Sequence, residues 1–262
     1  MIQPYLILAA STGLAGLLYR RYQQVIHDTK HQREFEREKR RIAKESRGQN
    51  ELRARLTLEE QSSKIQDSLA KVSMFLRKAD MYYAREDWNE TEKYLVQALA
   101  LDEHNIKAYR LLGLTYLQQG EWKKAELIYQ QLIEMEPTEA SHYGNLGLAL
   151  YYSEKYETAR EAYEAAITRD SKKPSRYISL GQVCLRLGDH TAAIKSFQHA
   201  VQLDKRNIEY LLALAEALEE TGDSDAALKT YEKILDISPY NEAVRDRVFV
   251  IKNAKHQPDN PA

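Results

Sequence analysis

Residues 108–141 read AYRLLGLTYLQQGEWKKAELIYQQLIEMEPTEAS, and this stretch decides the fold. Its apolar residues recur at helical spacing in two segments on either side of a polar turn at 119–121. Small residues at Gly113 and Ala125 would let the two helices approach closely. Large rings would fill the remaining space, here those of Tyr116 and Tyr129. The stretch therefore predicts a hairpin of two helices.

The same pattern returns along the chain at a constant interval of about 34 residues, which we call the repeat step. Trp88, Trp122 and Tyr156 are one repeat step apart, and so are Gly113 and Gly147. Because one helical hairpin cannot bury its apolar face alone, such units are expected to stack into a solenoid. The phase runs without a gap through five units, which are 74–107, 108–141, 142–175, 176–209 and 210–243.

With these motifs the chain resembles the tetratricopeptide repeat family. The second unit shows the full family pattern, which consists of Tyr109, Leu112, Gly113, Tyr116, Ala125, Tyr129 and Pro137. The third and fourth units keep most of it, and the outer units are looser, as terminal repeats usually are. The resemblance implies an all-α fold, a right-handed superhelix of five helix-turn-helix repeats. It also implies a concave groove lined by the first helix of each repeat.

Helical spacing continues beyond the last unit at Val244, Val248 and Ile251. This apolar stripe predicts a capping helix within 244–262 that covers the last exposed face of the solenoid. The end of the chain, 256–262, contains two prolines and is expected to be a disordered tail.

The composition is balanced overall but not along the chain. Of 262 residues, 38 are basic and 39 acidic, a net charge of -1 that argues against binding nucleic acid over the whole surface. Residues 20–55 nevertheless hold twelve Lys or Arg and six Asp or Glu. The chain therefore reads as an apolar tip, a basic stem and a mildly acidic body.

Residues 2–19 carry no charged side chain and are followed at once by Arg20 and Arg21. A helix over this run would be about 27 Å long, close to the bilayer core of about 30 Å. A cleaved signal peptide is the competing interpretation, but no Lys or Arg precedes the apolar run. We expect residues 1–19 to be a single transmembrane signal anchor.

Basic residues concentrate after the anchor, so its orientation can be predicted. Positive charge stays on the cytoplasmic side of a membrane, which places the short N-terminus outside and the repeats in the cytoplasm. The stem and linker, 20–73, contains the basic run Lys39–Arg41, whose side chains could also contact anionic lipid. Ion pairs one helical turn apart are expected to hold the stem as a solvated helix, with a break at 48–50.

An apolar stripe leads from the stem towards the first unit. Ile65, Leu69, Val72 and Leu76 share one helical face. We expect the stripe to pack on the first repeat, and a short coiled coil is the alternative. Self-association through the anchor or the stem would make a homodimer.

The residues give no sign of catalysis, a cofactor or a metal. The single cysteine, Cys184, occupies a core slot of the repeat and is expected to be an inert buried side chain. The histidines lack metal-ligand spacing, and no glycine-rich phosphate loop is present. The sequence thus predicts a binding protein and not an enzyme.

The groove implied by the resemblance supplies the candidate partner-binding residues. They combine basic, amide, leucine and tyrosine side chains, and comprise Lys107, Arg110, Leu114, Gln118, Asn145, Tyr151, Tyr152, Gln182 and Arg186. The centre of this surface is basic and aromatic, whereas its far end, with Glu216 and Glu220, is acidic. Such a surface suits a protein or peptide ligand with an acidic portion. The resemblance does not extend to the chaperone-binding carboxylate clamp of the family. In one register its positions hold Leu76, Asp80, Leu111, Ser141 and Asn145, in the next Arg110, Leu114, Asn145, Ser175 and Ser179, and neither set makes the clamp.

The leading hypothesis is a membrane-anchored adaptor or scaffold. It would recruit or organise a protein complex at the cytoplasmic face of a membrane through the groove. Two alternatives stay open, which are a non-catalytic regulatory subunit of a membrane-associated enzyme and, with reversed topology, an extracytoplasmic assembly factor.

Overall fold

The structure is a computed structural model that describes residues 29–256, with side chains from 36 to 253. The predicted anchor at 1–19 and nearly all of the predicted tail lie outside the described residues. Residues 29–256 form eleven α-helices and no strand. None of these helices is long and apolar enough to cross a membrane.

The first helix is long and the other ten are short. We number them α1 to α11, and their bounds are Thr29–Tyr83, Trp88–Leu101, Ile106–Gln119, Trp122–Met135, Ala140–Tyr152, Tyr156–Arg169, Pro174–Arg186, His190–Leu203, Ile208–Glu220, Ser224–Ile237 and Glu242–His256. The prediction of an all-helical solenoid is confirmed.

The helices begin at intervals of the repeat step. First helices of the units start at Ile106, Ala140, Pro174 and Ile208, and the last helix follows in the same phase at Glu242. Second helices are spaced in the same way and start at Trp88, Trp122, Tyr156, His190 and Ser224. The unit boundaries at 108, 142, 176 and 210 therefore each fall two residues inside a first helix, whereas the boundary at 74 lies within the long helix α1.

The chain divides into two compact parts, the N-terminal part Met1–Leu69 and the repeat part Ala70–Ala262, and α1 crosses the division. In the N-terminal part α1 is exposed and carries the expected ion pairs, such as Arg41 Nε to Glu45 Oε1 at 3.2 Å. The predicted break at 48–50 is wrong, because α1 runs through Gly48. A single exposed glycine costs a helix only about 1 kcal/mol, and strong helix formers flank this one.

The apolar stripe of α1 is buried only towards its C-terminal end. Val72 is 5% exposed, whereas Ile65 and Leu69 are 61% and 58% exposed. The expectation that the whole stripe packs on the first repeat is therefore wrong for its first two residues. They lie in the N-terminal part, where α1 is exposed along its length.

In the repeat part the core is a row of small clusters, as expected when each repeat packs mainly on its neighbours. In the three middle pairs a glycine of the first helix, Gly113, Gly147 or Gly181, lies against a ring of the second, Tyr129, Tyr163 or Phe197. A Cβ on Gly113 would lie 2.9 Å from Cζ of Tyr129, so no larger residue fits without a shift. At the end of the array α11 buries Val244, Val248 and Ile251, which confirms the predicted cap.

The turn inside each helical pair requires a left-handed residue. Gly120, Gly188 and Gly222 have φ of 74°, 75° and 82° there, and Glu86 and Glu154 have φ of 59° and 60°. The next residue donates its N–H to a carbonyl five residues back, for example Asp189 to Cys184 at 2.9 Å. This is the Schellman closure of a helix C-terminus. It sets where the second helix begins.

Candidate partner-binding groove

The nine candidate residues lie on three consecutive first helices, and we call them the groove surface. Helix α3 carries Lys107, Arg110, Leu114 and Gln118, α5 carries Asn145, Tyr151 and Tyr152, and α7 carries Gln182 and Arg186. Asn145 and Tyr151 are half-buried, and the other seven are exposed. Most of these side chains are thus available at the surface of the repeat part.

The two cations of α3 are already paired within the chain. Lys107 Nζ lies 2.7 Å from Oδ2 of Asp80, and Arg110 Nη2 lies 2.7 Å from Oε2 of Glu136. The same Glu136 oxygen is 2.9 Å from Nε2 of buried His142. Hydrogen bonds from His142 and Arg110 lower the pKa of Glu136. The predicted basic centre of the groove is therefore partly neutralised on α3.

An aromatic group joins α5 to its neighbours. The ring of Tyr152 stacks on Trp122 with centroids 4.4 Å apart, and Tyr151 meets Tyr152 and Tyr156 edge-on. From α7, Arg186 Nε donates to the Tyr151 hydroxyl at 3.2 Å, and its guanidinium lies 6.0 Å from the ring centroid. The structure thus brings three predicted residues into contact, of which Tyr152 and Arg186 are exposed and Tyr151 is half-buried.

Asn145 marks a second part of the groove surface. Its Nδ2 donates to the Tyr129 hydroxyl at 3.0 Å, and burial raises the pKa of Tyr129. Beside it a cavity of about 140 Å³ opens between α5 and α7. The lining is mostly polar and consists of Ser141, Gly144, Asn145, Leu148, Tyr163, Lys173, Ser175, Arg176 and Ser179.

Sequence reasoning missed the two cations of this cavity, Lys173 and Arg176. Arg176 is buried, and its Nη1 donates to Asp170 at both the carbonyl oxygen, 2.7 Å, and Oδ2, 2.6 Å. This bonding lowers the pKa of Asp170. One repeat earlier His142 and Glu136 hold the same positions and also pair. The available signal was an acidic residue that recurs at the repeat step from Asp102 onwards.

A larger cavity, of about 370 Å³, lies outside the groove surface. It is lined from α4, α5 and α6, and none of the nine candidate residues takes part in it. The Lys155–Glu126 ion pair, 2.9 Å long, stands at this cavity. Its lining therefore adds nothing to the predicted site.

No group of metal-ligating side chains occurs in the described part of the chain. Cys184 is 1% exposed, and burial raises the pKa of its thiol. A thiol in this state is a poor nucleophile at neutral pH. The side chain packs in the core cluster with Phe197.

Comparison with protein families gives two overlapping matches. Both are to models described as tetratricopeptide repeat, one at residues 145–208 and the other at 82–147 and 185–246. Together they run from 82 to 246, more than half of the chain. No enzyme family is indicated, and no curated protein sequence matches the chain.

Solved structures with the same fold are numerous. The crystal structure of MamA protein is 21% identical with a TM-score of 0.61, and the match covers 73% of this chain and 98% of that one. Pseudomonas aeruginosa pilF is 19% identical with a TM-score of 0.57, covering 72% and 91%. YrrB, described as a TPR protein with an unusual peptide-binding site, is 16% identical with a TM-score of 0.56, covering 70% and 91%. At these identities the likeness concerns the fold alone.

Proposed function

Because the chain belongs to the tetratricopeptide repeat family, we propose that it is an adaptor that binds an extended segment of a partner protein along the groove surface. The observation that carries this proposal is the contact of half-buried Tyr151 with the exposed Tyr152 and Arg186 on two consecutive first helices. Tyrosine and arginine are the residues in which binding energy concentrates at protein interfaces. No bond has to be made or broken for this role.

The geometry of the groove decides which substitutions test it. Arg110 pairs with Glu136, so reversing its charge would also disturb the loop before α5. Leu114 and Arg186 are exposed, and the side chain of Arg186 contacts Tyr151 of the groove surface and takes no part in the Lys107–Asp80 and Arg110–Glu136 ion pairs. Leu114→Glu combined with Arg186→Glu therefore changes the groove surface and leaves those ion pairs intact.

The test is quantitative capture from native membranes after crosslinking. Full-length chain, the Leu114→Glu/Arg186→Glu variant and a Lys195→Glu control are compared, since Lys195 is exposed on the second helix α8. We expect the groove variant to lose the captured partner and the control to keep it. Equal capture by all three would place the interaction elsewhere. Stoichiometric capture of a single enzyme would favour a regulatory subunit over a scaffold.

We further propose that residues 1–19 anchor the chain, with the repeats on the cytoplasmic side. The support is the uncharged run at 2–19 and the basic residues that follow it. The full chain should stay in the membrane fraction after an alkaline carbonate wash, and deletion of residues 1–21 should release it. Recovery of the full chain in the wash would overturn the anchor. Digestion of the repeats by protease added outside intact cells would overturn the orientation.

A further inference from the structure

The larger cavity, lined from α4, α5 and α6, lies where a tyrosine side chain stands one repeat step earlier. Leu150 of its lining is the counterpart of Tyr116. Tyr116 is buried, and its hydroxyl donates to Oε1 of Glu92 at 2.8 Å. Burial and this bond raise the pKa of Tyr116, so its phenol stays neutral and remains a donor. In the third unit leucine replaces the ring, and its space is open.

Three more side chains of the lining are smaller than their counterparts in the second unit. They are Thr158, Ala162 and Ala165, in the places of Lys124, Ile128 and Gln131. The resulting cavity measures about 370 Å³, and an apolar cavity of about 150 Å³ already holds a benzene ring. Its floor is apolar, because Leu150 and Ala162 are buried and Leu146 is half-buried. The cavity can therefore hold one aromatic side chain.

Glu126 supplies a hydrogen-bond acceptor in the lining, in the place of Glu92. Its two carboxylate oxygens each lie 2.9 Å from Nζ of Lys155, and the side chain is 15% exposed. A carboxylate has about four acceptor positions, so Glu126 can accept from a hydroxyl while it stays paired. One and two repeat steps later its place is held by Arg160 and Ile194, whose side chains cannot accept. The acceptor and the open space therefore coincide at this junction.

The remaining lining side chains limit which ligand fits. Glu161 adds a second carboxylate against the single amine of Lys155, which disfavours an anionic ligand. Tyr143 is held in place, because its hydroxyl donates to the Pro137 carbonyl at 3.0 Å and accepts from Arg169 Nη2 at 2.7 Å. The ligand that fits is therefore an aromatic ring that is neutral and carries a hydrogen-bond donor.

We propose that this cavity is a subsite for a tyrosine side chain of a partner protein, whose ring packs on Leu150 and Ala162 and whose hydroxyl donates to Glu126. The contact of Tyr116 with Glu92 is the same arrangement made within the chain. None of the nine candidate residues lines the cavity, so the subsite is separate from the groove surface. The inference therefore goes beyond the proposed function and is tested apart from it.

The test uses N-acetyl-tyrosinamide as the probe, because its side chain stands between two peptide groups as in a protein. N-acetyl-phenylalaninamide is the matched compound without the hydroxyl, and para-cresol is the same phenol without peptide groups. Binding of each compound to the full-length chain in detergent micelles is measured by saturation-transfer NMR over a range of concentrations. The same micelles accompany every variant, so a difference between variants reports on the cavity.

Four variants locate the binding. Leu150→Tyr restores the ring of the second unit and should fill the cavity. Ala162→Ile restores the isoleucine of that unit and closes the cavity by a second route, should the first variant fail to fold. Glu126→Gln removes the charge of the acceptor. Leu127→Tyr is the matched control, since Leu127 is exposed on α4 and does not line the cavity. Thermal melts establish that each variant is folded.

We expect the parent chain to bind N-acetyl-tyrosinamide about three- to tenfold more tightly than N-acetyl-phenylalaninamide, the gain that one hydrogen bond gives. Leu150→Tyr and Ala162→Ile should abolish binding of both amides. Glu126→Gln should lower the preference for the hydroxyl, and Leu127→Tyr should leave binding unchanged. Equal binding by the parent chain and the folded cavity-filling variants would overturn the subsite. Equal affinity of the parent chain for the two amides would overturn the role of Glu126.

Other occupants of the cavity give different results. Binding of para-cresol without N-acetyl-tyrosinamide would assign the cavity to a free phenol and contradict the proposal. Tyr240 is 87% exposed, so a second copy could also supply a ring. Self-association that both Tyr240→Ser and Leu150→Tyr abolish would assign the cavity to that ring and contradict a separate partner. The groove variant Leu114→Glu/Arg186→Glu should bind N-acetyl-tyrosinamide like the parent chain, so failure of the groove and failure of the subsite are distinguishable.

Discussion

The backbone of Gly181 lies directly against the ring of Phe197, and no side chain can fit between them. A Cβ at this position would fall well inside van der Waals contact with three ring carbons of Phe197, which is 1% exposed. We therefore expect Gly181→Ala to lower the free energy of unfolding by about 1–3 kcal/mol, as overpacked cores do. Urea denaturation followed by circular dichroism measures the change.

Gly144→Ala is the matched control for this substitution. It also lies within a first helix, but its added Cβ would meet its nearest neighbour at 3.8 Å. Alanine favours helix over glycine by about 1 kcal/mol, so this variant should unfold at the same or a higher urea concentration. Equal destabilisation by both substitutions would contradict the close approach at Gly181.

The left-handed turn position gives a second pair of opposite effects. Gly188 has φ of 75° and no neighbour within 4 Å of an added Cβ, so Gly188→Ala tests backbone strain alone. We expect a loss of about 1–2 kcal/mol, the cost of the left-handed region for a residue with a Cβ. Glu154 already bears that strain at φ of 60°, so Glu154→Gly should raise the melting temperature. A fall in melting temperature on Glu154→Gly would count against this interpretation.

Acid should weaken the junctions between repeats. The pKa values of Glu136 and Asp170 are lowered from their ordinary 4.5 and 3.8, first by hydrogen bonds from His142 and Arg176. Folding therefore favours the ionised carboxylates. The resulting stabilisation is complete above the ordinary pKa values and is lost as pH falls below them towards the folded values.

Melting temperatures measured from pH 7 down to 3 check this dependence. We expect a decline that begins near pH 4.5, where the ordinary pKa of Glu136 lies. Asp170→Asn removes one of the two carboxylates, so its melting temperature should be lower at pH 7 and should fall less steeply in acid. The same slope in Asp170→Asn and the parent chain would show that the Arg176–Asp170 pair does not contribute.

The thiol of Cys184 should be unreactive in the folded protein. It is buried, and burial raises its pKa, so both access and the thiolate fraction are low. A chromogenic disulfide reagent at pH 7 should modify it only at the rate of unfolding, and quickly in denaturant. Fast modification of the native chain would show that the last two repeats open readily.

Most of the fold could be predicted from the local sequence pattern. The repeat step located the helix starts, because each repeat needs the same small and large residues at its contact. The pairing of Gly113 with Tyr129 follows from the two positions alone. Sequence could not show that Glu86 and Glu154 adopt the turn conformation of Gly120, since glutamate seldom does.

The site was less predictable because its charges are set by contacts between repeats. Lys107 and Arg110 read as free groove cations, yet their partners, Asp80 and Glu136, come from neighbouring helical segments far along the chain. Lys173, just before α7, and Gly144, in the middle of α5, line the same cavity. Their proximity depends on how two units stack. The break expected at 48–50 was wrong because one glycine rarely ends a helix of strong formers.

Site-specific photocrosslinking tests the central claim, that the partner lies on the groove surface, most directly. A benzophenone amino acid would replace Tyr152 on α5 in one chain and Leu127 on the second helix α4 in another. These side chains are similarly exposed, at 52% and 66%. Illumination of cells that express each chain should give a discrete adduct from position 152 and little or none from 127. The same adduct in equal yield from both positions, or from 127 alone, would contradict the account.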